Sequence, residues 1–406
     1  MHASGACDPS STLGTPIVKK LQIAERINSL GTEQAFHVLA RAKEMERKGI
    51  DMIHMEIGDT DFDTPKIIKD SCKKALDENK THYLPSQGLL ELRQEIAKYI
   101  SKTRKIPVKP EEVVVTPGGK PIIFYTILAT VNHGDEVVVP DPGFPTYASV
   151  VNFVGAKAIS LPILAENNFQ VDLKNLAKLI TKKTKLIIIN SPNNPTGGVL
   201  THENLAGIAK IAKKHNLWVL SDEVYDRLVF EGKFESIASL PGMKERTIIL
   251  NAFTKTYSMS GWRLGYGVMH ADLAKITANL INNSISCTPN FIQWAGISGL
   301  RLPENIIAKF RNELKKRRDL LAKELNKIPG IKCHVPKGSI YLFPDIRKTE
   351  KTSKEIFDLL FDKAHIAALP GTSFGKYGEG FLRLSFGSLP IPRIKEAMKR
   401  MKKCLR

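Results

Sequence analysis

The stretch NAFTKTYSMSGWRLGYG (251–267) sets Lys255 among small, hydroxyl and apolar residues, with Arg263 eight positions further on. Lysine is ordinarily a solvated surface residue, yet the run TIILN that leads into it reads as a buried strand. A lysine at the rim of a crevice, partly desolvated and near other cations, has a lowered pKa. It then becomes a nucleophilic amine able to form Schiff bases with carbonyl compounds. Arg263, just past a small MSG turn, could grip a phosphate with both arms of its guanidinium. A structural lysine and a surface arginine explain this segment equally well, so the rest of the chain has to decide.

Other residues invite the same double reading. Asp222, directly after the apolar run LWVLS, could pair with a protonated ring nitrogen, and Tyr225 offers a phenol three residues on; a plain helix N-cap is the alternative. The TPGGKP segment puts Gly119 and Lys120 at a helix start, where backbone N–H groups bind anions; a strand-to-helix turn needs the same glycines. Asn194 in SPNNPTGG supplies an amide within a turn-forming sequence. Phe144 could stack on a planar ring or belong to the core. Arg383, in FLRLSFGS, could clamp a carboxylate or serve as a partly buried ion-pair residue.

The elements that must position these residues alternate. Runs such as EEVVVT, DEVVVP, KLIIIN, LWVLS and RTIILN are apolar on consecutive positions, as expected of strands buried on both faces. Helix-like segments, among them PIIFYTILATVN and ENLAGIAKIAKKHN, separate them. The pattern predicts an α/β fold with a mainly parallel sheet flanked by helices. In such sheets ligands gather beyond the carboxyl ends of the strands, which is where the polar residues above all fall. A long Lys/Glu/Leu-rich helix after Pro303 and mixed segments beyond it mark a change of architecture. The expected organisation is a disordered tail over 1–20, a large domain over 71–303, and a smaller α+β domain from 21–70 and 304–406.

The 406 residues, 42% hydrophobic and 25% charged, have the composition of a globular protein with a sizeable core. The formal charge of +19 comes from lysines spread over helical faces, without a helix-turn-helix, zinc-finger or RNA-recognition pattern, so no nucleic-acid partner is expected. No apolar run approaches a membrane span. The five scattered cysteines form neither a disulfide framework nor a metal-ligand spacing, which favours a reducing, cytoplasmic setting and no metal.

Together, and in this order, the segments HMEIGDTDFDTP, YLPSQGLLELRQEIA, VVTPGGKPIIF, GDEVVVPDPGFPTY, SPNNPTGG, DEVYDRL, TKTYSMSGWRLGYG and PGTSFGKYGEGFLRLSFG resemble the pyridoxal-phosphate-dependent aminotransferases of class I/II, fold type I, the aspartate aminotransferase-like group. The resemblance runs from about Leu21 nearly to the end. It implies a large domain with a seven-stranded-type sheet and transfer of an amino group from an α-amino acid to a 2-oxo acid, 2-oxoglutarate or pyruvate, by a ping-pong mechanism. Lys255 would hold the pyridoxal 5'-phosphate and shuttle the proton, and Asp222 would keep the pyridine nitrogen protonated. Tyr225 and Asn194 would hydrogen-bond the phenolic oxygen, and Phe144 would stack on the ring. Gly119, Lys120 and Arg263 would hold the phosphate, the first two mainly through backbone N–H groups, with Tyr83 reaching a neighbouring subunit's phosphate in a homodimer with shared sites. Arg383, the Gly58 backbone and Asn194 would take the substrate carboxylate. Related pockets on the same fold support carbon–sulfur lyases, cyclopropane-forming synthases and oxidases, which are the alternative.

Three positions depart from the family pattern. Ala252 stands three residues before Lys255, where serine is frequent; Pro121 replaces a glutamine; and Asp59-Thr60 replaces Glu-Pro. The hydroxyls of Thr254, Thr256 and Ser258 are candidates to replace the missing serine.

Overall fold

The computed structural model describes residues 22–31 and 33–405, so the expected tail over 1–20 lies outside them. Twelve strands form in chain order: β1 (Ile53–His54), β2 (Val113–Thr116), β3 (Glu136–Asp141), β4 (Lys157–Pro162), β5 (Thr184–Asn190), β6 (Trp218–Asp222), β7 (Thr247–Ala252), β8 (Gly265–Val268), β9 (Tyr341–Leu342), β10 (Ile366–Ala367), β11 (Leu369–Pro370) and β12 (Leu382–Ser385). Seven of them make one sheet in the order β2-β8-β7-β6-β5-β3-β4. It is parallel from β4 to β7, with β8 antiparallel to both of its neighbours. Strand β8 follows directly on Arg263 and had no apolar run to announce it, because glycines occupy two of its four positions.

The strands are apolar on consecutive positions because helices cover both faces. In β5, Leu186, Ile187 and Ile188 are all fully buried, alternately in two different apolar clusters. Each such side chain contributes roughly 1.5–3 kcal/mol of burial free energy. The helix His202–Lys214 begins at Thr201, whose hydroxyl accepts the Asn204 N–H, and ends in Lys213 and Lys214 against the negative end of its dipole. The winding of the sheet reverses between β3 and β5. Their pairing stops at Val138, while β3 stays paired to β4 as far as Asp141. Pro140, which has no N–H to give, sits in the part of β3 that has left β5, and the divergence opens a crevice at the carboxyl ends.

The remaining strands form a parallel pair, β1 with β10, and an antiparallel sheet in the order β11-β12-β9. The helix Glu304–Leu325 packs on Ile391–Cys404, and Gln34–Arg47 on β10 and β11. One apolar cluster runs from Val138, Ile189 and Val219 of the large sheet to Leu314, Leu342, Ile366 and Met398. Residue 70, the expected boundary, falls within the helix Lys66–Asp77, which begins after Pro65 and packs on Asn290–Leu300.

Gly265 of β8 links the fold to the crevice. A Cβ there would come within 2.5 Å of the Gly118 carbonyl carbon and 2.8 Å of the Gly119 nitrogen, backbone atoms that cannot swing aside. Gly265→Ala is expected to destabilise the protein by about 1–3 kcal/mol through overpacking, measured by urea unfolding; an unchanged midpoint would show that the glycine loop yields freely.

Candidate active site

A cavity of about 650 Å³ opens at the carboxyl ends of β5, β6 and β7. Ten of the residues singled out in the sequence line it: Gly58, Gly119, Lys120, Phe144, Asn194, Asp222, Tyr225, Lys255, Arg263 and Arg383. Tyr83 does not; its side chain is 88% exposed, outside this cavity.

Strand β7 delivers Lys255. Ala252 ends the strand, and a single turn of helix over Phe253–Thr256 sets the half-buried lysine at the cavity, where its Nζ donates to the Gly58 carbonyl. Gly58 can carry no side chain, since a Cβ would lie 1.7 Å from the Tyr341 hydroxyl. That hydroxyl is 2.8 Å from the hydroxyl of Tyr225. Burial and the neighbouring Tyr341 push the Tyr225 phenol well above its ordinary pKa.

Asp222 ends β6. Its Oδ2 accepts from the Tyr147 hydroxyl at 2.6 Å and its Oδ1 from the Val224 N–H at 3.3 Å. Burial pushes its pKa up to about 6, against the lowering effect of these two donors. Asn190, at the end of β5, donates to the Asp222 carbonyl at 3.1 Å and accepts the Asn194 N–H at 2.7 Å. Neighbouring strand ends are thereby tied together.

Arg383, on β12, is 4% exposed. It donates to the Glu56 carbonyl and, at 3.5 Å, to Asn194 Oδ1, while its Nε has no partner. Its guanidinium lies 4.5 Å from the Tyr341 ring centroid and 4.9 Å from that of Phe374. Burial works against its charge and lowers its pKa. Arg263 has φ +54° and anchors Nη1 on the Ser260 carbonyl at 2.9 Å. Its Nη2 occupies the place a Cβ on Gly118 would take, 2.1 Å away. The Lys120 ammonium turns to Glu33, 2.5 Å distant and itself in the cavity lining, which leaves the lysine's backbone N–H at the start of the helix Lys120–Thr130.

Of the hydroxyls considered in place of a serine at position 252, Thr254 reaches the cavity beside Ala252. Thr256 Oγ1 is buried without a partner, and Ser258 Oγ lies 3.1 Å from Thr60 Oγ1, outside the cavity lining. Ser260, which also lines the cavity, donates to Asp59 Oδ2 at 2.9 Å. Sequence reasoning did not single out Tyr147, Asn190 or Tyr341. A signal existed for Asn190, which closes an apolar strand as Asp222 does, and for Tyr147, which ends the quoted segment GDEVVVPDPGFPTY; Tyr341, in GSIYLF, had none. Among the described residues no cluster of potential metal ligands occurs, and no helix is long and apolar enough to cross a membrane.

The raised pKa of Asp222 has a definite sign. In the cofactor-free protein the folded state holds this proton at a higher pH than the unfolded chain, whose Asp titrates near 4. Stability is therefore lost as pH rises from about 4 through about 6. Asp222→Asn is expected to make the cofactor-free protein more stable than the wild type above pH 7, by on the order of 2–3 kcal/mol, with the difference closing toward pH 4. Urea unfolding across that range measures it; a pH-independent difference would contradict the assignment.

The geometry finds its counterpart in known proteins. Residues 50–401 match the family model of the aminotransferases of class I and II. A probable aspartate/prephenate aminotransferase of Aquifex aeolicus is 39% identical over 94% of this chain and 98% of its own length. An aromatic-amino-acid aminotransferase of Thermococcus litoralis is 40% identical over 87% and 92%. The structure of an aspartate aminotransferase from Thermus thermophilus with maleate superposes with a TM-score of 0.91 at 31% identity, covering 95% of this chain and all of the other. This chain therefore belongs to the class I and II aminotransferases, transaminases of fold type I that depend on pyridoxal phosphate.

Proposed function

We propose that this cavity moves an amino group from an α-amino acid to a 2-oxo acid, 2-oxoglutarate or pyruvate, by a ping-pong route, with an aspartate aminotransferase-like choice of substrate. The observation that carries the reading is the meeting in one cavity of a half-buried lysine, a buried carboxylate without a protein cation, and a buried arginine with a free Nε. The names of relatives from Aquifex, Pyrococcus and Bacillus support the choice of aspartate.

The residues present fit pyridoxal phosphate. Asp222 is a buried carboxylate with donors on both oxygens but, among the described residues, no counter-charge, and a protonated ring nitrogen would supply one. Gly118 leaves room for Arg263 Nη2, which brings that guanidinium next to the start of the helix Lys120–Thr130, an arrangement suited to a phosphate. When bound, the cofactor supplies an electron sink for the charge left when Cα loses its proton.

The chain's own residues do the rest. Lys255 Nζ takes the Cα proton and returns it one bond further along, general acid–base work that contributes on the order of 10²–10⁴-fold. Its rest position on the Gly58 carbonyl keeps it at hand when it is free. Asp222 holds the proton of the ring nitrogen, and Tyr147 fixes the carboxylate that does so. Tyr225 and Asn194 would hydrogen-bond the phenolic oxygen of the cofactor, and Phe144 would stack on its ring. Gly119, Lys120 and Arg263 would hold the phosphate, the first two through N–H groups. Arg383 binds the substrate's α-carboxylate, aided by Asn194 and the Gly58 backbone, while the Tyr341 and Phe374 rings hold its guanidinium. The enzyme works as a cytoplasmic homodimer, and the exposed Tyr83 reaches the phosphate in the neighbouring copy.

A panel of amino donors in single turnover tests the reaction. Aspartate or another α-amino acid should convert the bound cofactor to its amine form and release a 2-oxo acid, and a 2-oxo acid should reverse the change. Release of a thiol or ammonia instead would point to a lyase. Lys255→Ala should abolish the borohydride-trapped link to the cofactor; trapping that persists would refute the lysine. Arg383→Ala should lower kcat/KM for every donor by about 10- to 150-fold, the worth of a charge-assisted bond, with an equal loss for donors of different side chain. A loss confined to one donor would place Arg383 at the side-chain end.

A further inference from the structure

A second set of buried charges lies behind the cavity wall. The turn after β6 sends its side chains two ways: Asp222 and Tyr225 line the cavity, while Glu223 and Asp226 meet Arg104 at the end of the helix Leu90–Arg104. Arg104 Nε donates to Glu223 Oε2 at 2.8 Å and its Nη2 to Asp226 Oδ2 at 2.5 Å. Glu223 Oε1 also accepts from Ser221 at 3.0 Å and from Ser236. The arginine is 3% exposed, stacks at 4.6 Å on Phe234, and accepts the Ser239 hydroxyl at its carbonyl, 2.7 Å away. It takes no part in the cavity lining.

We propose that Arg104 is a positioning residue for the reaction: its fork fixes the turn that presents Asp222 and Tyr225, and its charge, by neutralising Glu223, keeps the adjoining Asp222 carboxylate ionised for the ring nitrogen. The inference rests on the reading of Asp222 above. Burying an ion cluster of this kind is weak evidence for stability, since apolar replacements are often as stable. Its specific effect is directional. Two carboxylates three residues apart are held by one planar fork, and the side chains between and before them are thereby turned toward the cavity.

The electrostatic part follows from what surrounds Asp222. Tyr147 faces it from the helix Thr146–Phe153, Tyr225 and Glu223 belong to its own turn, and Lys255 stands at the same cavity. Glu223 is the acidic neighbour among these, and its charge opposes ionisation of Asp222. Glu223 in turn faces Arg104, Ser221, Ser236 and Asp226, and Asp226 also receives Tyr99 at 3.4 Å. Without Arg104, the Glu223 charge beside Asp222 is uncompensated and opposes its ionisation.

The experiment is the affinity of the cofactor-free protein for pyridoxal phosphate as a function of pH, by equilibrium dialysis. Arg104→Met should weaken binding at neutral pH by about tenfold and raise the acid-side midpoint by about one unit. Glu223→Gln alone should lower that midpoint, and Glu223→Gln added to Arg104→Met should bring it back toward the wild type. Arg104→Lys, which keeps the charge and loses the fork, should bind more weakly with the midpoint unmoved. A folded Arg104→Met with an unmoved midpoint, or a double variant no closer to the wild type, would overturn the proposal. Should Arg104→Met fail to fold, an unmoved midpoint in Glu223→Gln or full affinity in Arg104→Lys would overturn it equally. Asp222→Asn separates the two readings. If it keeps the wild-type midpoint, the role of Asp222 has failed; if it abolishes that midpoint while the Arg104 and Glu223 variants leave it in place, only the present inference has.

Discussion

Holding a carboxylate away from water at the end of a central strand is the constraint around which the site is arranged. Asp222 is 7% exposed, has a hydroxyl and an N–H for company, and among the described residues pairs with no cation. Desolvation of an ionised group costs more than two neutral donors return, and the displaced pKa records the shortfall. Around Asp222 the cavity gathers the backbone of Gly119, Arg263, Lys255 and Arg383.

That arrangement depends on how the sheet opens. Strands β3 and β5 part after Val138, and the residues delivered by β5, β6 and β7 meet in the space created. Asn190 ties two of these strand ends by donating its side-chain amide to the Asp222 carbonyl. Arg383 comes from the smaller sheet and lodges between two aromatic rings, so it reaches the cavity from a different part of the chain than the lysine and aspartate.

Two departures from the family pattern prove to be neighbours. Asp59 accepts the Ser260 hydroxyl, and Thr60 meets Ser258, so the segment in place of Glu-Pro grips the loop between Lys255 and Arg263. The loss of a serine at position 252 falls in the same region, where Thr254 remains the hydroxyl adjoining the lysine in the cavity. No sequence spacing could have joined these, since 201 positions separate Asp59 from Ser260.

Lys255, Asp222 and Asn194 were legible because each closes or follows an apolar run, and a buried strand has to end at the rim of its sheet. The alternation of such runs with amphipathic segments determined the mainly parallel sheet for the same reason: periodicity is a local property of the chain. Gly265–Val268 escaped because its glycines make no apolar pattern, and the helix Lys66–Asp77 spans residue 70. Tyr147 and Arg104 became meaningful only in three dimensions, for their partners lie 75 and 119 positions away. The sequence by itself pointed to ten of the residues that line the cavity. The tertiary structure alone decided which groups tune them, because desolvation and hydrogen bonding depend on neighbours that only folding brings together.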